Sequence, residues 1–125
     1  MLSNAQKHRL VHKDDITLNR LASALDILLA INPKMPLTYA RAFVEVARNP
    51  GKGPTVYGLA MNMAQPVASR VLLEIGPNTR HRDQPDHLVD WTFAAHSLRE
   101  KEYYLTPKGH TLMRELLRAL QPQRV

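Results

Sequence analysis

Within one short stretch the chain carries an amide, a hydroxyl and a guanidinium, as Gln65, Ser69 and Arg70. At about 100° per residue these groups share a helix flank with Pro66 and Leu73, while Val67, Ala68, Val71, Leu72 and Ile75 gather on the opposite side. Such a flank matches what base-pair edges present in a major groove. An amide pairs with adenine, a hydroxyl serves either role, a guanidinium takes guanine or phosphate, and apolar groups meet thymine methyls. Gln65 and Ser69 are therefore assigned to base edges and Arg70 to the sugar-phosphate backbone.

Other chemistries have weaker support. Potential metal ligands crowd together at His81-x-Asp83-x-x-Asp86-His87, but the spacing fits no zinc pattern, and Arg80 and Arg82 oppose a cation there. A metal-dependent nuclease built on that segment is the enzymatic alternative. The loop Asn49-Pro50-Gly51-Lys52-Gly53-Pro54 lacks the G-x-x-x-x-G-K-[ST] spacing of a phosphate cradle, and no G-x-S-x-G elbow is present. The absence of cysteine excludes disulfides, thiolate metal sites and thiol nucleophiles. No catalytic residue, metal or cofactor is assigned.

Lys and Arg total 17 against 11 Asp and Glu, a net charge of +6 that attracts polyanions. Nucleic acid is the first candidate partner and an anionic membrane surface the second. The longest apolar run, Leu25 to Ile31, is interrupted by Asp26 and too short to span a bilayer. A cytoplasmic, nucleoid-associated protein without membrane partners is expected.

The elements that would position the polar flank follow from periodicity and punctuation. Residues 1–14 read as a flexible basic arm and 15–125 as one domain. A first helix over Thr17 to Ile31 carries Leu18, Leu21, Ala22, Leu25, Leu28 and Leu29, with Asp14, Asp15 or Thr17 as N-cap. A second, capped by Thr38, buries Ala42, Phe43, Val46 and Ala47. A third starts at Thr55 with the stripe Val56, Leu59, Ala60, Met63, and a fourth follows directly, with Pro66 in its first turn and Gly76-Pro77 as terminator. Two helices this close define a helix-turn-helix.

Leu88 to Phe93 and Tyr103 to Leu105 then read as a hairpin, with Trp91 packing it on the core and His96, Arg99 and Lys101 near its tip. Thr106-Pro107 opens a last helix bearing Leu112, Met113, Leu116, Leu117 and Leu120. The fold class is mainly α with a small antiparallel β-hairpin (α+β): a winged helix-turn-helix. The apolar excess at Leu18, Leu21, Leu25 and Leu28, and at Leu112, Leu116, Leu117 and Leu120, calls for cover by a partner subunit.

From Leu37 to Leu120 the order of these features resembles the MarR family of bacterial winged-helix transcription regulators. The resemblance rests on Leu59-Ala60, Gln65-Pro66-Val67-Ala68-Ser69-Arg70 and Tyr104-Leu105-Thr106-Pro107-Lys108-Gly109. It implies a homodimer paired through its terminal helices, a repressor-like regulator that binds double-stranded DNA and reads an inverted repeat through the helix starting near Gln65. The expected DNA contacts are Thr55, Asn62, Gln65, Pro66, Ser69, Arg70, Leu73, Arg80, Arg82, His96, Arg99 and Lys101. Two departures stand out. Where the family's wing carries Asp-x-Arg, this chain has Ser97-Leu98-Arg99, and Asn78 to His87 lengthens the path from recognition helix to wing. Many such regulators answer to small aromatic acids, but no residue pattern here marks an effector pocket. The alternatives are a protein-interaction module of the same fold and an accessory factor for replication or recombination of a mobile element.

Overall fold

Proline stands at the entrance of four helices: Pro36 as the residue before the first turn, and Pro54, Pro66 and Pro107 inside it. There its missing N–H is no loss and its fixed φ is already helical. The computed structural model describes residues 11–77 and 86–122, which form α1 (His12–Ile31), α2 (Leu37–Arg48), α3 (Pro54–Met61), α4 (Gln65–Glu74), β1 (Val89–Phe93), β2 (Lys101–Leu105) and α5 (Pro107–Leu120). The strands pair antiparallel, with Trp91 opposite Tyr103 and Phe93 opposite Lys101. The fold is the mainly helical winged helix-turn-helix expected.

Two helix starts differ from the expectation. The first helix begins at His12, so His12, Lys13 and Asp14 are helical, while the rest of the expected arm up to residue 10 lies outside the described residues. Thr17 does not cap it; its hydroxyl donates back to the Lys13 carbonyl at 3.0 Å, as a threonine inside a helix does. Asp14 and Asp15 occupy the first turn, where the partial positive charge of the helix end favours them. Thr38 likewise falls inside α2, whose cap is Pro36.

The core gathers Phe43 and Val46 of α2, Tyr57 of α3, Leu72 of α4, Ile75, Leu88, Val89 and Tyr103 of the wing and Leu112 of α5. Each such side chain contributes roughly 1.5–3 kcal/mol by leaving water. Helices α1 and α5 pack on each other. Leu112, 1% exposed, and Leu116, 8% exposed, are therefore used up inside the chain and are not free for a subunit interface, and Leu28 is half-buried against the same cluster. Leu18, Leu21, Leu25 and Leu29 of α1, with Leu117 and Leu120 of α5, remain exposed.

The third helix is rotated from its expected face. Tyr57 and Gly58 point inward, whereas Val56 is exposed and Leu59 is 80% exposed. The expected stripe needed Met63, but the helix ends at Met61.

Candidate nucleic-acid interface

The turn between α3 and α4 is made by close backbone approach. A Cβ on Gly58 would stand 2.8 Å from the Met63 carbonyl oxygen and 3.4 Å from the Ala68 Cβ, so glycine lets the two helices touch. Asn62 adopts the left-handed conformation, φ 55°, which ends α3, and the Met63 amide donates to the Gly58 carbonyl at 2.8 Å. The extended residue Ala64 then starts α4. Its inward side is Ala68, Val71 and Leu72, followed by Ile75 at the helix end. Gln65, Pro66 and Arg70 are exposed, and Ser69 and Leu73 are half-buried at the edges. Val67, expected inward, is exposed and joins the polar flank.

Behind α3, the loop Asn49 to Gly53 adds a partial third strand to the wing. The Gly51 amide donates to the Tyr103 carbonyl at 2.8 Å, and the Tyr103 amide donates to the Lys52 carbonyl at 2.9 Å. Gly51 turns with φ 83°, facing the Tyr104 ring. Tyr57 fastens the loop from below: its hydroxyl donates to the Asn49 carbonyl at 2.8 Å and accepts from the Lys52 amide at 3.3 Å. Burial pushes the Tyr57 and Tyr103 phenols above the usual tyrosine range, and the Glu102 carboxylate that accepts from the Tyr104 hydroxyl raises that phenol too.

The wing tip is braced internally. The Ala94 amide donates to the Glu100 carbonyl at 2.8 Å and the Ser97 amide to the Ala94 carbonyl at 3.1 Å. Ser97 Oγ accepts from the Arg99 backbone amide at 3.1 Å, a turn-forming contact of the kind Asp and Ser side chains share. Serine thus supports the backbone of the turn, and the Arg99 guanidinium is left to reach elsewhere. His96 Nε2 lies 3.0 Å from a Glu100 carboxylate oxygen.

These elements enclose a cleft of 540 Å³ in which Lys52, Thr55, Gln65, Ser69, Arg99 and Lys101 converge. Glu100 and Glu102 share the wall, but each carboxylate is engaged, by His96 and by the Tyr104 hydroxyl. Between α4 and β2 an adjoining cleft of 400 Å³ is lined by Pro66, Ser69, Arg70, Leu73, Lys101 and Tyr103, among others. Lys101 belongs to both and is steadied by Trp91, whose ring centroid lies 4.3 Å from Nζ. Trp91 itself packs against the core cluster and makes an edge contact with Phe93 at 5.0 Å.

Of the expected contacts, Thr55, Gln65, Ser69, Arg99 and Lys101 come together in the first cleft, and Pro66, Arg70 and Leu73 in the second. Asn62 and His96 line neither; Asn62 is exposed, with its left-handed backbone ending α3, and exposed His96 lies beside Glu100. Arg80 and Arg82 lie outside the described residues. So do His81 and Asp83 of the metal-ligand cluster; Asp86 is buried, and His87 Nε2 lies 3.8 Å from Asp90. Among the described residues no group of His, Cys, Asp and Glu could hold a metal ion.

Two positioning features were not read from sequence. Lys52 enters the cleft through tertiary pairing of its backbone, which leaves no local signal. Glu45 is buried and takes Arg41 and, at 2.9 Å, Arg48, while Arg41 Nη2 donates to the Ala60 carbonyl at the end of α3 at 3.3 Å. The i, i+4 spacing of Arg41 and Glu45 was the available clue.

A cleft lined by three cations and two carboxylates thus lies between the helix-turn-helix and its wing, and the fold is a winged helix-turn-helix like that of MarR regulators. In keeping with it, the chain is similar to the crystal structure of the MarR family transcription regulator SP03579, with a TM-score of 0.57 and 18% identity over 83% of this chain and 60% of that one. It is also similar to the transcriptional regulator Tm0710 from Thermotoga maritima, with a TM-score of 0.59 and 12% identity over 86% of this chain and 66% of that one. At such identities the likeness establishes the fold, and the chain spans less than two thirds of the length of either protein. No protein-family model and no curated protein matches the chain. Among the described residues no helix is long and apolar enough to cross a membrane.

Proposed function

We propose that this protein is a sequence-specific double-stranded DNA-binding regulator of transcription, repressor-like in action, that works as a homodimer and not as an enzyme. The observation that carries the reading is the convergence of Gln65 and Ser69, both able to read bases, with the cations Lys52, Arg99 and Lys101 around one open cleft. Helix α4 enters the major groove with Gln65 and Ser69 toward base edges, and Arg70 and Lys52 meet phosphates on either side. The wing lies over the adjacent minor groove, where Arg99 reaches in. The neighbouring folds are described as transcription regulators, which supports the same reading.

The exposed leucines of α1 and α5 supply the apolar surface for a second subunit. A two-fold dimer then reads an inverted repeat whose half-sites lie about one helical turn apart. The protein acts in the cytoplasm, at the nucleoid.

Selection of bound fragments from random duplex DNA by the purified chain, followed by salt titration of the winners, tests the proposal. Enriched inverted repeats and a log–log slope of about −0.9 per neutralised phosphate are expected. Binding without salt dependence, or no enrichment, would count against it.

A further inference from the structure

Leu98 stands at the apex of the wing with 82% of its surface exposed, the highest value among the large apolar side chains described. Its neighbours are Ser97 and Arg99, and the backbone on both sides of it is fixed, by the Ser97 Oγ contact to the Arg99 amide at 3.1 Å and by the Ala94 and Glu100 pairing at 2.8 Å. The brace holds the turn and leaves the leucine side chain outside it. Arg99, the next residue, lines the cleft that also holds Gln65 and Ser69.

We propose that Leu98 is a wedge that enters the minor groove, parts two stacked base pairs and kinks the duplex beneath the wing. This rests on the DNA-binding reading of the cleft. A hairpin apex presents a single apolar side chain, flanked here by a serine, an arginine and the His96–Glu100 pair. Protein partners ordinarily require about 800 Å² per side, which an apex of this kind does not offer. A minor groove about 6 Å wide accepts a narrow tip, and apolar side chains such as leucine, inserted between base steps there, unstack them and bend DNA by about 20–90°. The adjacent guanidinium supplies the attraction that brings the tip into the negative groove. The wedge also provides sequence preference without a hydrogen bond, because pyrimidine–purine steps such as TA and CA open most easily.

The test uses the full chain and a duplex recovered from a random pool by the wild-type protein, with donor and acceptor dyes at its two ends. Saturating wild-type protein should raise energy transfer to the extent of a bend of about 20–90°. Leu98→Ala should return the transfer to that of free DNA while the salt slope of binding stays unchanged, and Leu98→Met should restore the bend. Replacing a flexible step beneath the wing by an A-tract step should weaken wild-type binding several-fold and Leu98→Ala binding hardly at all. An unbent duplex under the wild-type protein overturns the wedge and leaves the DNA-binding reading standing. A bend that survives Leu98→Ala overturns it as well. Failure to recover any bound duplex removes both readings.

Discussion

Gly109 approaches Leu88 so closely that a Cβ on the glycine would stand 2.1 Å from the Leu88 carbonyl oxygen. That carbonyl also accepts from the Thr106 amide at 3.1 Å, while the Thr106 hydroxyl donates to the His87 carbonyl at 2.7 Å and accepts from the Gly109 amide at 3.0 Å. The first turn of α5 is thus sewn to the chain just ahead of β1. The obstacle is backbone, which cannot swing aside. Gly109→Ala gains up to about 1 kcal/mol of helix propensity but meets an overpacking cost of about 1–3 kcal/mol or more. A net loss of stability, seen as a lower urea midpoint, is expected; an unchanged midpoint would show that α5 is not rigidly docked there.

At Gln65 the amide is exposed at the first residue of the helix read as entering the groove. Gln65→Ala should cost on the order of 1–3 kcal/mol on a selected site and relax preference at one base pair. Equal losses on selected and random duplexes would mean that the side chain does not read bases.

The Arg99 guanidinium has a different expected signature. Ser97 holds the Arg99 backbone amide, and the residue lines the cleft as one of its cations. Arg99→Ala should weaken binding to all sequences alike and reduce the salt slope by about one unit. An unchanged slope would remove the wing arginine from the DNA contacts.

Leucines of one helix pair should separate into two behaviours. Leu21→Glu on the exposed face of α1 is expected to yield a folded monomer by sedimentation, since that side chain is 48% exposed. Leu112→Ala, by contrast, opens a cavity in the core and should cost about 2–5 kcal/mol of folding stability. A wild-type monomer at micromolar concentration would contradict the dimer.

Alkaline pH probes the Tyr57 and Tyr103 pair, whose rings meet edge to face at 6.5 Å. Burial raises both phenols above the ordinary tyrosine value of about 10, so above that pH the unfolded chain loses protons that the folded chain still holds. Stability is complete below about pH 10 and declines as pH rises through the folded-state values. Tyr57→Phe should flatten that decline and cost about 0.5–1.5 kcal/mol at neutral pH through loss of the bond to Asn49. A decline of the same steepness in the variant would show that Tyr57 does not contribute to it.

What could be read without coordinates was whatever is signalled locally. Pro66 and the Thr106-Pro107 pair mark helix starts in the sequence and in the structure alike, and alternation around Trp91 and Tyr103 located the hairpin. Periodicity shows that a face is apolar but not what covers it. Leu112 and Leu116 therefore looked like interface residues although α1 covers them within the chain, and Leu59 looked like core although Tyr57 and Gly58 take that role. Lys52 was invisible as a cleft residue because the pairing that brings it there is between segments some fifty residues apart in sequence. The polar flank of α4 was legible except for Val67, whose apolar character hid its outward position.

The main-chain bridge between Lys52 and Tyr103 joins the loop ahead of the helix-turn-helix to the hairpin. The two parts that would grip DNA therefore act like the jaws of a fixed caliper, with a gap set by peptide geometry and not by adjustable side chains. Duplex whose groove spacing is altered by overwinding would fit one jaw and miss the other.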